Sequence, residues 1–75
     1  MTEHKMSPYE VFRWMDEHQV LVSRAWHTAK AMATDKLERI NQTASWLVQE
    51  NPELTGCFKS VREWLIHNLA GYGYY

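Results

Sequence analysis

The spacing of apolar side chains in the first half of this chain is the strongest constraint on its fold. Apolar or small residues recur there in steps of three, four or multiples of these, with His18 in the one gap. Such steps place side chains on one face of an α-helix. The line comprises Val11, Met15, Val22, Trp26, Ala29 and Ala33. The pattern predicts a helix through this region and an all-α fold.

A second apolar line runs beside the first. It comprises Trp14, Leu21, Ala25 and Met32. Together the two lines cover about half of the helix circumference, wider than the stripe of about 100° that is typical of a surface helix. Ser7 followed by Pro8 provides a capping hydroxyl and a proline at the first helical position. The sequence therefore predicts a helix over 8–32 that packs on two sides.

The same apolar phase continues beyond residue 33 and leaves two interpretations open. The continuing line comprises Leu37, Ile40, Ala44 and Leu47, with Val48 on its flank. In the first interpretation the helix breaks near 33–35, where Asp35 and Glu38 form a capping box. In the second, a single helix about 60 Å long runs over 8–50. We favour the break, because so long a rod cannot bury its stripe against one short helix.

A third helix follows the clearest loop in the chain, NPELTG at 51–56. Asn51 precedes a proline and is disfavoured in the helical conformation, which ends the second helix there. Thr55 is the predicted cap of the third helix, and Gly71 is a natural residue to close it. One face of this helix carries Phe58, Val61, Leu65 and Leu69.

These patterns predict a small three-helix unit with helices near 8–32, 35–50 and 56–70. The first two helices are fused in the second interpretation given above. The predicted organisation is a flexible N-terminus over 1–6, a single helical domain over 7–71 and an aromatic C-terminal tail over 72–75. No apolar run approaches the roughly 20 residues that span a bilayer, and the N-terminus lacks the apolar segment of a signal peptide. We therefore expect a cytoplasmic protein that does not associate with membranes.

The length of the chain favours self-association. A chain of 75 residues buries only about 60% of its unfolded surface and has marginal stability on its own. Its single cysteine, Cys57, excludes an intramolecular disulfide. Oligomerisation is a common remaining source of stability for so small a chain, and we expect a homodimer.

The residue types that usually carry chemistry are scattered along the chain. No two of the four histidines lie three or four positions apart, so no helical face presents a two-histidine metal site. His18 lies on the apolar stripe, and we expect it to be an interior or interface histidine. Cys57 has no histidine close by in sequence to act as a base, and we expect it to be buried. The sequence predicts a protein that is not an enzyme and binds no metal or cofactor.

A small DNA-binding regulator of the helix-turn-helix kind is the alternative function. The second helix, the NPELTG turn and the third helix have roughly suitable lengths, and the turn contains a glycine. The net charge of −1 gives no basic stripe of the kind that phosphates attract. Glu63 stands among the cations of the third helix and would repel phosphates. Nucleic acid is therefore an unfavoured partner.

Several large apolar residues fall outside the predicted core lines. They are Val20, Trp46, Trp64 and Ile66. A group of exposed apolar side chains on three short helices indicates an interface, although a different packing of the helices would bury them. The tail adds Tyr74 and Tyr75, which we expect to contact the first helix or a partner chain. The predicted function is a non-catalytic protein-interaction module, acting as a small adaptor, accessory subunit or inhibitor of a larger protein whose identity the sequence leaves open.

Overall fold

Four α-helices and one short 3-10 turn form the part of the chain that the structure describes. A computed structural model describes residues 6–69, and this range contains no β-strand. The helices are α1 (Pro8–Glu17), α2 (Gln19–Met32), α3 (Lys36–Glu50) and α4 (Phe58–Asn68), with the 3-10 turn at Pro52–Leu54. The all-α prediction is confirmed. The first predicted helix is divided in two, while the expected tail at 72–75 and most of the expected flexible N-terminus lie outside the described residues.

A complete capping box begins α1, as the Ser7-Pro8 pair predicts. The Ser7 hydroxyl accepts a hydrogen bond of 3.3 Å from the Glu10 amide. The Glu10 carboxylate accepts one of 2.8 Å from the Ser7 amide in return. Two amides that the helix itself leaves without partners are satisfied in this way.

The helix predicted over 8–32 breaks at His18, so the prediction of one continuous helix there is wrong. The His18 backbone, at φ −117° and ψ 37°, leaves the helical region. Its ring Nδ1 donates a hydrogen bond of 2.8 Å to the Trp14 carbonyl, and the ring stacks on the Trp14 indole at 3.9 Å. The side chain thus shares the Trp14 carbonyl with the His18 amide, which donates to it at 3.0 Å.

The break explains the wide apolar stripe of the sequence. The helix α1 packs mainly against α4, whereas α2 packs mainly against α3. The apolar residues of the first half therefore face two different neighbours. The outcome is an elongated molecule with principal extents of 42 × 19 × 19 Å.

The predicted break near 33–35 is also present. The Asp35 carboxylate accepts a hydrogen bond of 3.2 Å from the Glu38 amide and caps α3. Arg39 Nε donates a hydrogen bond of 2.7 Å to the Ala33 carbonyl and ties the loop to the next turn. With only residues 33–35 between them, α2 and α3 form an antiparallel helical hairpin. The continuous helix over 8–50 is excluded.

The connection to α4 differs from the prediction at its end. Leu54 in the 3-10 turn is fully buried, which draws the chain inward before α4 begins. Gly56 follows at φ 81°, in the left-handed region. Cys57, and not Thr55, occupies the N-cap position, and its side chain makes no capping hydrogen bond. The predicted start of this helix at residue 56 is therefore two residues early.

Two indole N–H groups join the N-terminal helix to distant parts of the chain. Trp14 Nε1 donates a hydrogen bond of 3.1 Å to the Glu53 carboxylate in the 3-10 turn. Trp64 Nε1 on α4 donates one of 3.1 Å to the Asp16 carboxylate on α1. Both tryptophans are buried, so these bonds satisfy donors that would otherwise be costly to remove from water.

The core gathers residues from all four helices and the 3-10 turn. Its fully buried side chains include Val11, Met15, Val22, Trp26, Ile40, Ala44, Leu47, Leu54, Val61 and Leu65. Three residues assigned to core lines by periodicity are instead exposed: Met32, Leu37 and Phe58. Each lies within the first or last two residues of its helix, where the facing helix no longer covers the stripe. Cys57 is buried and unpaired, as predicted.

Candidate functional site

The contact between α2 and α3 includes small side chains on α2. Ala25 and Ala29 are buried and line the space between the two helices. Alanines at a helix contact allow the two backbones to approach closely, because little side chain separates them. Larger side chains at the edge of this contact, Met32 and Trp46, project beyond the alanines and form the walls of a groove.

A surface groove of about 380 Å³ results between the two helices. The α2 side consists of Arg24, Ala25, Thr28, Ala29 and Met32. The α3 side consists of Gln42, Ser45, Trp46 and Gln49. Met32 is 70% exposed and Trp46 40% exposed, although both are large apolar side chains. The groove therefore offers apolar walls to any molecule that lies along the hairpin.

A second depression adjoins this groove on its α3 side. It is lined by Glu38, Asn41, Gln42, Ser45 and Phe58. Gln42 and Ser45 line both depressions, so the two form one continuous surface. We call this surface, defined by the lining residues of both depressions, the α2–α3 face.

Uncharged residues make up most of the α2–α3 face. Arg24 and Glu38 are its only charged lining residues. Around Trp46 the polar groups are the amides of Gln42 and Gln49 and the Ser45 hydroxyl. Such groups form hydrogen bonds without the large desolvation cost of a charge. The centre of the face therefore combines an exposed indole with uncharged polar groups.

The residues predicted to contact a partner have different environments in the structure. Trp46 is exposed and lies on the α2–α3 face. Val20 is 75% exposed but lies beyond that face, near the bend at His18. Ile66 is half-buried and packs against the core. Tyr74 and Tyr75 lie outside the described residues, as does Gly71, the predicted cap of α4.

Trp64 corrects the prediction most clearly. It is only 5% exposed and belongs to the core, where its indole binds Asp16. The expectation that it lies outside the core is wrong, because α1 covers the shoulder of α4 on which it stands. Periodicity within α4 alone does not reveal that neighbour.

Sequence reasoning missed Met32 and Phe58 as surface residues of this face. Both were assigned to apolar lines that continue through their helices. A signal was present in their positions, because Met32 precedes the predicted break at 33–35 and Phe58 follows the NPELTG loop. Apolar residues beside a loop are the ones that a short facing helix fails to cover.

The described part of the chain shows little that could support chemistry. Within residues 6–69, no three His, Cys, Asp or Glu side chains lie close enough together to hold a metal ion. Cys57 Sγ lies 3.8 Å from the Met6 carbonyl and is shielded from solvent. None of the described helices has the length and apolar content needed to cross a bilayer.

Comparison of the chain with protein-family models, curated proteins and solved structures gives no significant match.

Proposed function

We propose that this chain is a non-catalytic protein-interaction module that docks through the α2–α3 face. The observation that carries the proposal is the pair of exposed apolar walls, Met32 and Trp46, on either side of a groove whose one charged lining residue is Arg24. Tryptophan is among the residues that contribute most to binding energy at protein interfaces. A groove between two helices fits the apolar side of a partner helix.

A module of this kind acts by occupying a surface of a larger protein, as an adaptor, an accessory subunit or an inhibitor. The polar side chains around Trp46 provide the rim, and the apolar walls provide the anchors. The connection between α3 and α4 also favours this proposal over a DNA-binding one. It runs over 51–57, which is longer than the turn of about three or four residues in a helix-turn-helix.

Affinity capture with matched variants tests the proposal. The full chain is immobilised as wild type, as Trp46→Ala and as Tyr9→Ala, and each is exposed to an extract of the source organism. Tyr9 is an exposed aromatic residue on α1, away from the α2–α3 face, and serves as the control. We expect the wild type and Tyr9→Ala to retain the same protein, and Trp46→Ala to lose it at least tenfold.

Equal capture by all three chains would contradict the proposal. Circular dichroism of each variant establishes that the helices are intact, so that a lost partner reports on the face and not on folding.

A further inference from the structure

Arg24 differs from the other arginines of the described chain in the use of its side chain. The other three each contact a group of the chain itself: Arg13 the Glu17 carboxylate at 3.4 Å, Arg39 the Ala33 carbonyl at 2.7 Å and Arg62 the Phe58 ring at 6.0 Å. Within residues 6–69, the guanidinium of Arg24 makes no hydrogen bond, ion pair or ring contact. Its charge is therefore not neutralised by the part of the chain that the structure describes.

Two carboxylates lie near Arg24, and both already bind other donors. Asp16 and Glu17 line the depression at the α1–α2 bend together with Arg24. The Asp16 carboxylate accepts its hydrogen bond of 3.1 Å from the Trp64 indole, and Glu17 accepts from Arg13. Neither forms an ion pair with Arg24. The guanidinium of Arg24 is thus open to an acidic group from another molecule.

The position of Arg24 gives the groove between α2 and α3 a polarity. Arg24 is the one charged residue that lines this groove. With a rise of about 1.5 Å per residue, Arg24 lies about 12 Å and Trp46 about 15 Å from the loop along their helices. Met32 is the last residue of α2 and lies at the loop end. The groove therefore has an apolar wall at each end and a cation only at the Trp46 end.

We infer that the groove binds an acidic amphipathic helix of a partner protein. This inference rests on the function proposed above, because it names the chemistry of the partner at the same face. Two apolar side chains about two to three turns apart on the partner helix, about 11–16 Å, meet Trp46 and Met32. An aspartate or glutamate within about one turn of the first anchor meets Arg24, since the planar guanidinium of arginine binds carboxylates through two parallel hydrogen bonds.

The charges of the face decide both the sign of the partner and its direction. A basic segment in the groove would set like charges together at Arg24, which is unfavourable in an interface. Glu38, the other charged residue of the α2–α3 face, lines only the second depression and lies in the first turn of α3, at the loop end. It repels a carboxylate there. The acidic residue of the partner is therefore directed to the end that carries Arg24 and Trp46.

Selection of peptides from a random library displayed on phage is the first test. The full chain is immobilised as wild type, Trp46→Ala, Arg24→Glu and Arg13→Glu. The last variant is the matched control, because it changes the net charge equally on α1, outside the α2–α3 face. We expect wild type and Arg13→Glu to select peptides with the spaced apolar pair and an acidic residue beside one member. Arg24→Glu should select lysine or arginine in that place, and Trp46→Ala should lose the pattern.

A synthetic copy of the selected peptide provides the quantitative test by fluorescence anisotropy. Arg24→Glu should raise its dissociation constant at least tenfold, while Arg13→Glu leaves it unchanged. A second peptide with lysine in place of the acidic residue should reverse this order and bind Arg24→Glu better than wild type. Circular dichroism should show a gain of helix when the peptide binds. The same method, applied to each variant alone, confirms that the substitutions leave the helices of the chain formed.

The inference and the proposed function fail in different ways. Peptides that bind through Trp46 but carry no acidic residue, or whose affinity is the same for wild type and Arg24→Glu, would overturn the acidic partner and leave the interaction module intact. A wild-type chain that retains no peptide and dimerises through Trp46 in light scattering would make a second copy the occupant, which also overturns the inference. If no peptide is retained through Trp46 and the chain stays monomeric, the inference fails, and the capture experiment above decides on the module itself.

Discussion

Trp64 and Asp16 stand 48 positions apart in the sequence, and a hydrogen bond of 3.1 Å joins them. The bond attaches the last described helix to the first. Because Trp64 is buried while Asp16 lies at the surface, the carboxylate satisfies the indole at the edge of the core.

Removal of the Asp16 acceptor should destabilise the chain. We expect Asp16→Ala to lower the free energy of unfolding by about 1–3 kcal/mol, the cost of a buried donor without a partner. Asp16→Asn keeps a carbonyl oxygen and should cost less. Urea denaturation followed by circular dichroism, at one fixed protein concentration, measures both variants. Equal stability of Asp16→Ala and wild type would show that the bond contributes nothing.

Trp64 is buried and Trp46 is exposed, so truncation of the two should change the stability of the chain by very different amounts. Trp64→Ala removes a core side chain and should cost about 3–5 kcal/mol. Trp46→Ala, at the surface, should cost about 1 kcal/mol or less when the monomer is measured at low concentration. Thermal and urea unfolding of the two variants side by side provide the comparison. A loss at Trp46 as large as the loss at Trp64 would make Trp46 a core residue.

Gly56 is the one described residue with a positive φ, 81°. A side chain with a Cβ atom is strained in this region, so Gly56→Ala should lower stability by about 1–2 kcal/mol. Gly56→Asn should cost less, because asparagine visits the left-handed region more readily. The ranking of the two variants in urea denaturation separates backbone strain from simple loss of a glycine. If alanine is tolerated as well as asparagine, the turn has relaxed.

The core around Ala44 on α3 should tolerate little added volume. Ala44 is fully buried, and Ala44→Leu should cost about 1–3 kcal/mol through overpacking. Ala31→Leu is the matched control, since residue 31 is exposed on α2 and should change stability by no more than about 0.5 kcal/mol. Similar stabilities of the two variants would contradict the tight packing of Ala44 in the core.

Local signals in the sequence predicted the starts of α1 and α3 well, but missed the start of α2 and placed that of α4 two residues early. They predicted the partners of the helices poorly. Ser7 and Asp35 mark the starts of α1 and α3, because a capping hydrogen bond joins residues only three positions apart. The bend at His18 was missed because the apolar phase continues unchanged through it. Trp64 was misplaced because its burial depends on α1, whose position no pattern within α4 records.

The candidate site was predictable to the same degree. Trp46 stands off the core line of α3 and was recognised as a surface residue from its spacing alone. Met32 and Phe58 follow core lines and are exposed only because neighbouring helices end or diverge there. Arg24 lies on α2 and Glu38 on α3, and their relative positions on the face depend on the antiparallel course of the hairpin. That relation appears only once both helices and their short loop are placed.

The pairing of α1 with α4 has a consequence for the order in which the chain acquires its structure. The bonds that hold α1 span 39 and 48 positions, whereas α2 and α3 meet across a loop of three residues, 33–35. Contacts between near neighbours form before contacts between distant ones. On the ribosome, α1 emerges first among the described helices and its counterpart α4 last. At about 5–20 residues per second, about 3–10 s pass between the synthesis of α1 and the completion of α4. The synthesis of α4 therefore sets the earliest moment at which α1 can pack against it.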